Sequence, residues 1–254
     1  MCLILLAWRA HPGFPLVVAA NRDEFFARRT AGAKFWDEAP HVLAGRDLEG
    51  GGTWLGITHT GRFAALTNFR DRALIRPDAP SRGELVSGFL TGTQPPQDFL
   101  GELGGIGDRY NGFNLLFSDN ESLWYFSNRG AEARQLPPGV YGLSNHLLDT
   151  PWPKVARGKS ALSAALGAAP EQTSLFALLR DDTIAVDAAL PRTGVSLAWE
   201  RLLSAAFVRS PDYGTRSATV VIADRAGRTS FSEQEYLPGA QPGARRDFEF
   251  CLTR

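Results

Sequence analysis

The chain has 254 residues, 44% of them hydrophobic, 11% aromatic and 21% charged, with 27 basic residues balancing 27 acidic ones. At roughly 150 residues per domain this allows one large domain or two small ones, and a chain of this size buries about 70% or more of its unfolded surface. The aromatic content and zero net charge exclude a disordered chain, and the basic stripe of a dedicated nucleic-acid binder is missing.

Taken in chain order, Cys2–Arg9 and Pro15–Ala20 are short apolar runs joined by the turn-rich Ala10-His11-Pro12-Gly13, which predicts a hairpin. Thr53–Thr58 with Arg62–Asn68 reads as a second hairpin. Ser81-Arg82-Gly83-Glu84 has the form of a capping box and precedes Leu85, Val86, Phe89 and Leu90 at helical spacing. Phe113–Ser118 and Leu123–Ser127 form a third pair around Asp119-Asn120. Trp152–Ala168, Ser174–Arg180 and Ser196–Ala205 are helix candidates. Ser217–Ala223 and Arg228–Glu233 then flank Asp224-Arg225-Ala226-Gly227, and Asp247–Thr253 alternates Phe248, Phe250 and Leu252 against Asp247, Glu249 and Cys251. No linker composition interrupts this order. The expectation is a single α+β domain over residues 1–254 whose two termini share a sheet.

The longest apolar runs, Leu3–Trp8 and Leu16–Ala20, fall far short of the ~20 residues that span a bilayer. Met1-Cys2-Leu3 lacks the basic start of a secretory signal. The reading is a soluble, cytoplasmic protein. Cys2 and Cys251 make neither a disulfide framework nor zinc spacing, and His11, His41, His59 and His146 show no i, i+4 pairing. No metal and no cofactor is expected. Glu49-Gly50-Gly51-Gly52-Thr53 lacks the Gly-Lys-Ser/Thr of a phosphate cradle. Gly142-Leu143-Ser144-Asn145-His146 has His where a nucleophile elbow needs Gly. The Arg70–Arg82 loop, with Arg70, Arg72, Arg76 and Arg82, is a solvated surface or a clamp for an anion.

Cys2 carries the chemistry. Removal of Met1 leaves Cys2 with a free α-amine, of unperturbed pKa ~7.7–8.0, on the same residue as a thiol near 8.5. The amine can then take the thiol proton, so one residue supplies nucleophile and base. A buried strand cysteine is the plainer alternative. The second apolar run ends abruptly in Asn21-Arg22-Asp23-Glu24, and hairpin pairing brings that end close to Cys2. Asp23 and Arg22 could then hold the amine and tune the thiolate.

Met1-Cys2, Ala20-Asn21-Arg22-Asp23-Glu24-Phe25, Gly51-Gly52-Thr53-Trp54-Leu55-Gly56, Ala65-Leu66-Thr67-Asn68, Tyr110-Asn111-Gly112-Phe113-Asn114, Tyr141-Gly142-Leu143-Ser144-Asn145, Thr150-Pro151-Trp152 and Tyr213-Gly214-Thr215-Arg216 occur in this order. Together they resemble the NRDE family, also called the transport and Golgi organisation protein 2 family. That family in turn resembles the N-terminal-nucleophile hydrolases of the choloylglycine hydrolase and penicillin V acylase type. The resemblance implies an αββα sandwich of two stacked antiparallel sheets. It also implies catalytic roles for Cys2, Asp23, Asn145 and Arg216, with the Asn145 amide at the oxyanion. Asn21, Arg22 and Asn68 are implied as substrate-binding residues, although the hydrolases' early Arg precedes the Asp by several residues whereas Arg22 adjoins Asp23. Structural alternatives stand beside these: Asn145 capping a turn, Arg216 in an ion pair, Gly51, Gly52 and Trp54 shaping a turn.

Two functions follow. One is a cysteine N-terminal-nucleophile amidohydrolase acting on a non-peptide linear amide. The other is a non-catalytic binding or trafficking protein for a hydrophobic ligand such as haem or an acyl lipid, with Cys2 able to ligate haem iron. The expected partner is thus a small-molecule amide or a hydrophobic ligand, with no nucleic acid and no transmembrane segment.

Overall fold

The computed structural model describes residues 2–71, 75–130 and 133–253. Arg72 of the arginine-rich loop, and Met1, lie outside the described residues. The chain forms two compact units, the first comprising Met1–Ala27, Pro138–Ser144 and Leu148–Phe250, the second Arg28–Pro137, Asn145–Leu147 and Cys251–Arg254.

The first unit holds an antiparallel six-stranded sheet. Its strands are β1 (Cys2–His11), β2 (Phe14–Phe25), β10 (Gly139–Leu143), β11 (Tyr213–Ala223), β12 (Arg228–Leu237) and β13 (Gln241–Cys251), in the order β10-β1-β2-β11-β12-β13. The N-terminal and C-terminal strands do share one sheet, as the pattern of the two ends predicts. Leu3, Leu5 and Ala7 of β1 and Val17 and Ala19 of β2 turn one face toward α3 (Pro153–Ala165) and α4 (Gln172–Leu179), where they meet Val155, Leu162, Leu175 and Leu179. This is the period-2 alternation of a sheet read against the period-3.6 stripe of a helix. Gly158 lets α3 settle directly on the sheet, because a Cβ there would stand 2.7 Å from Leu5 Cδ1. A short α5 (Leu197–Leu202) begins at Ser196, whose hydroxyl accepts from the Trp199 N–H.

The second unit holds an antiparallel seven-stranded sheet, β3 to β9 in sequence order: β3 (Thr30–Phe35), β4 (Val42–Asp47), β5 (Leu55–Thr58), β6 (Phe63–Asn68), β7 (Phe113–Ser118), β8 (Leu123–Ser127) and β9 (Arg134–Leu136). Its core packs Ala64, Leu66, Phe113, Leu115 and Phe117 against Val86, Phe89 and Leu90 of α1 (Gly83–Thr91) and Phe99 and Leu103 of α2 (Pro96–Ile106). The molecule is therefore α+β with two antiparallel sheets, each carrying its own helices.

One local expectation needs correction, and three elements are not anticipated by the sequence pattern. The capping box does not form: no side chain caps α1, and the Ser81 hydroxyl sits 3.5 Å from the Gly51 carbonyl instead. The start of α1 is docked on the 51–53 turn, where the Thr53 N–H donates to the Gly83 carbonyl at 3.2 Å. Strands β3 and β4 carry no sequence signal of their own; they are short and take their conformation from pairing. Helix α2 is disguised by Gly101, Gly104 and Gly105, residues that disfavour helices. In the arginine-rich loop, Arg76 Nη2 donates to the Asp108 and Tyr110 carbonyls and Arg82 Nη1 to that of Gly112, so both tie the loop to the 108–112 segment of the same unit.

Candidate active site

The apolar run of β2 ends at Ala20, but the strand does not. Asn21 to Phe25 stay extended because β11 pairs along all of them, and β1 pairs with Asn21 and Arg22 on the other side. The polar cluster is thus built into a ladder and not into a turn, which holds its side chains at set heights and faces. Cys2, the first residue of β1, stands directly across from Arg22, and the two share a face of the sheet. Its neighbour pair Leu3 and Asn21 points to the opposite, helix-bearing face.

Cys2 is buried, with 9% exposure, and not the partly open terminal residue that a strand start suggests. Burial pushes its thiol up, and the nearby Asp23 carboxylate adds to this; Arg22 and the Asp23 backbone N–H pull the other way. The carbonyl of Cys2 accepts from the buried Ser144 hydroxyl at 3.0 Å, just beyond the last paired residue of β10.

Asp23 is 1% exposed. Its Oδ1 accepts from the Thr215 hydroxyl at 2.8 Å, and its backbone carbonyl from the Tyr213 hydroxyl at 3.2 Å. Thr215 Oγ1 in turn accepts from the Val208 N–H at 2.9 Å. Thr215 pairs with Asp23 and Ser217 with Arg22, leaving Arg216 as the extra residue of a β-bulge. Bulges re-aim side chains and gather next to active sites. Here the bulge sends the Arg216 guanidinium to the Phe25 carbonyl at 2.9 Å and the Phe26 carbonyl at 3.3 Å. Burial, and after it Arg22, lowers its affinity for the proton below the ordinary value, and Glu235 and Glu24 only partly oppose this. Asn21 is fully buried, and its amide nitrogen donates to the Leu179 and Ala206 carbonyls, each at 2.8 Å. Its N–H groups serve the fold of the first unit.

Of the residues named from sequence, the first unit thus gathers Cys2, Asn21, Arg22, Asp23 and Arg216. Asn68 and Asn145 belong to the second unit. There the fully buried Asn145 donates its side-chain amide N–H to the Asn68 carbonyl at 2.9 Å, and its backbone carbonyl accepts from the Arg70 N–H at 2.8 Å. The Asn145 side chain is therefore engaged by a hydrogen bond within its own unit. Thr215 and Tyr213 are site residues that sequence reasoning passed over, although both stand in the quoted Tyr213-Gly214-Thr215-Arg216 motif.

A family model described as Transport and Golgi organisation 2 matches residues 1–238. The chain belongs to the Transport and Golgi organisation 2 family. The Transport and Golgi organization protein 2 homolog of Bos taurus is 38% identical over 95% of each chain, and that of Homo sapiens is 36% identical over 99% of each. The Drosophila melanogaster protein is 32% identical over 95% of this chain and 94% of its own. Every site residue above lies within the span the Transport and Golgi organisation 2 model matches; the whole of β13 lies beyond it.

Among solved structures, the chain is similar to a Caenorhabditis elegans N-acylethanolamine-hydrolyzing acid amidase ortholog. The TM-score is 0.52 at 11% identity, over 87% of this chain and 92% of that one. The C2A mutant of the conjugated bile acid hydrolase of Clostridium perfringens gives the same TM-score at 9% identity, over 98% and 92%. At such identities the likeness carries the fold alone: this member of the Transport and Golgi organisation 2 family has the N-terminal-nucleophile hydrolase-like fold.

Proposed function

We propose that the chain is a cysteine N-terminal-nucleophile amidohydrolase that cleaves a non-peptide linear amide. The carrying observation is that Cys2 opens β1 against the polar end of β2, with Arg22 across from it and Asp23 close enough to act on its thiol. The fold is one in which solved relatives bear the names of an N-acylethanolamine-hydrolyzing amidase and a conjugated bile acid hydrolase.

Burial raises the Cys2 thiol, so a thiolate needs a base and a cation beside it. Once Met1 is removed, the α-amine of Cys2 is that base. It takes the thiol proton while sulfur attacks the amide carbonyl carbon, and the carbonyl oxygen becomes the oxyanion of a tetrahedral intermediate. As the C–N bond breaks, the amine leaves with the proton held on the α-amine, and a thioester remains on Cys2. Water then adds to the thioester, giving its proton to the α-amine, and the C–S bond breaks to release the acid. Asp23 anchors the α-ammonium. Arg22 and Arg216 keep the surroundings cationic, and Arg22 faces the substrate.

Intact mass first fixes whether Met1 is gone. Protein without Met1 is then incubated with a panel of N-acyl amides, and its cysteines are alkylated with iodoacetamide. The expected result is amide turnover, with Cys2 modified much faster than Cys251 even though Cys2 is buried and Cys251 exposed. A Cys2 that reacts no faster than Cys251 in processed protein sinks the hydrolase, and binding of an acyl lipid or haem becomes the reading to pursue.

A further inference from the structure

The hydrogen bonds around Asp23 have a direction that the backbone dictates. The Val208 N–H can only donate, so the Thr215 hydroxyl oxygen accepts from it at 2.9 Å. The one hydroxyl proton of Thr215 must then point away, and it points at Asp23 Oδ1, 2.8 Å off. Thr215 and Asp23 are each 1% exposed, so bulk water does not compete for either group. The arrangement is held from both ends. The Thr215 N–H donates back to the Val208 carbonyl at 3.0 Å, and Thr215 is the last residue paired with β2 before the bulge at Arg216. Tyr213, two residues earlier on β11, secures the Asp23 backbone through its own hydroxyl.

We propose that Thr215 is a positioning residue for the reaction, which locks Asp23 in one rotamer with Oδ1 occupied as an acceptor and so presents the carboxylate as an oriented anion to the Cys2 terminus. The proposal rests on the reading of Cys2 as nucleophile and Asp23 as the anchor of its amine. Physically, a donor committed to Oδ1 stabilises the ionised carboxyl and leaves protonation of that oxygen unfavourable. A buried anion also keeps its geometry best when one of its oxygens is pinned. The other charged and titratable groups at this end of the sheet include Cys2 on β1, Arg22 and Glu24 on β2, Tyr213 and Arg216 on β11, and Glu235 on β12. None of them supplies the Val208-to-Asp23 relay.

The test uses full-length processed protein and three variants. Thr215→Val keeps the shape and removes the hydroxyl, Thr215→Ser keeps the hydroxyl, and Thr215→Ala leaves room for a water should the valine variant fail to fold. Two curves are recorded for each: titration of the Asp23 carboxyl carbon by NMR, and the pH dependence of Cys2 alkylation with Cys251 as internal reference. Thr215→Val should move the Asp23 midpoint up by on the order of one pH unit, the scale on which a single hydrogen bond to a carboxylate acts. The acid limb of Cys2 alkylation should move with it. Thr215→Ala should shift both curves in the same direction by less, and Thr215→Ser should leave both in place. Loss of packing alone lowers the melting temperature without moving either curve.

An Asp23 midpoint that stays put in the valine or alanine variant overturns the role of Thr215, even where wild-type Cys2 outreacts Cys251. A wild-type Cys2 that fails to outreact Cys251 overturns the nucleophile reading, and with it any reaction-linked role for Thr215, whatever the Asp23 titration shows.

Discussion

At the scale of single residues, Cys2 combines two properties that normally oppose each other. It is buried deeply enough to raise its thiol, yet it stands across from a guanidinium and beside a carboxylate. A structural core cysteine has no need of such neighbours, whereas a nucleophile that borrows its own α-amine does. Cys2→Ser should therefore abolish amide turnover while leaving the melting temperature within a few degrees of wild type, because the change removes little volume and Ser144 still holds the residue's carbonyl. A matched loss of turnover and of fold would assign Cys2 to the core. Gly52 illustrates the opposite case, a residue whose importance is steric. Its φ is +71°, and a Cβ there would stand 2.4 Å from the backbone of Gly83. Gly52→Ala is expected to cost more than about 2 kcal/mol in denaturant unfolding, since the left-handed conformation alone costs an alanine about 1–2 kcal/mol and the start of α1 must also move. A neutral result would mean that the 51–53 turn is not docked on α1.

Among the elements, the end of β4 shows how one carboxylate can organise a turn. Asp47 Oδ2 accepts from Arg28 Nε at 2.7 Å, and Oδ1 accepts from the Glu49 and Gly50 N–H groups at 3.0 and 2.9 Å. Burial alone would raise this carboxyl, but the hydrogen bonds from Arg28, Gly50 and Glu49 outweigh it and hold the pKa below its usual value. A depressed folded-state pKa means that the unfolded chain binds the proton more readily. The stabilisation is thus fully present above the unfolded value of ~3.9 and is lost as pH falls through the lower folded value. Asp47→Asn is expected to cost about 1–2 kcal/mol at pH 7, a range kept modest because Arg28 is partly solvated. The difference should shrink toward zero as unfolding is measured at progressively lower pH. A pH-independent difference would assign the effect to the turn's neutral hydrogen bonds.

For the molecule as a whole, the order of strands ranks local stability. In the six-stranded sheet β2 and β11 are interior strands, paired along most of their length, and Val17 to Ala20, Val220 and Val221 have no exposure. β13 is an edge strand that alternates half-buried Phe248 and Phe250 with exposed Asp247 and Glu249. Amide exchange should accordingly be slowest at 17–20 and 219–222, and markedly faster along β13 and across the exposed 181–196 segment. Protection of β13 equal to that of β2 would contradict the sheet order. The site sits at the charged end of the slow-exchanging core, which suits chemistry that needs fixed geometry.

Much of this was legible in the amino-acid sequence, because hydrophobic alternation and turn residues are local signals. The first hairpin, the 113–127 hairpin, helices α3 and α4 and the cluster after Ala20 can each be read from neighbours a few positions apart. The motifs gave the family, and with it Cys2, Asp23 and Arg216. What the tertiary structure alone decided depends on strands far apart in sequence. β11 pairs with β2 across some 190 positions, and that pairing keeps Asn21 to Phe25 extended although their polarity reads as a turn. The bulge at Arg216 and the hydroxyl of Thr215 on Asp23 both follow from the same pairing. No local pattern encodes them, because a hydrogen bond between residues so distant exists only once the register between two strands has been set.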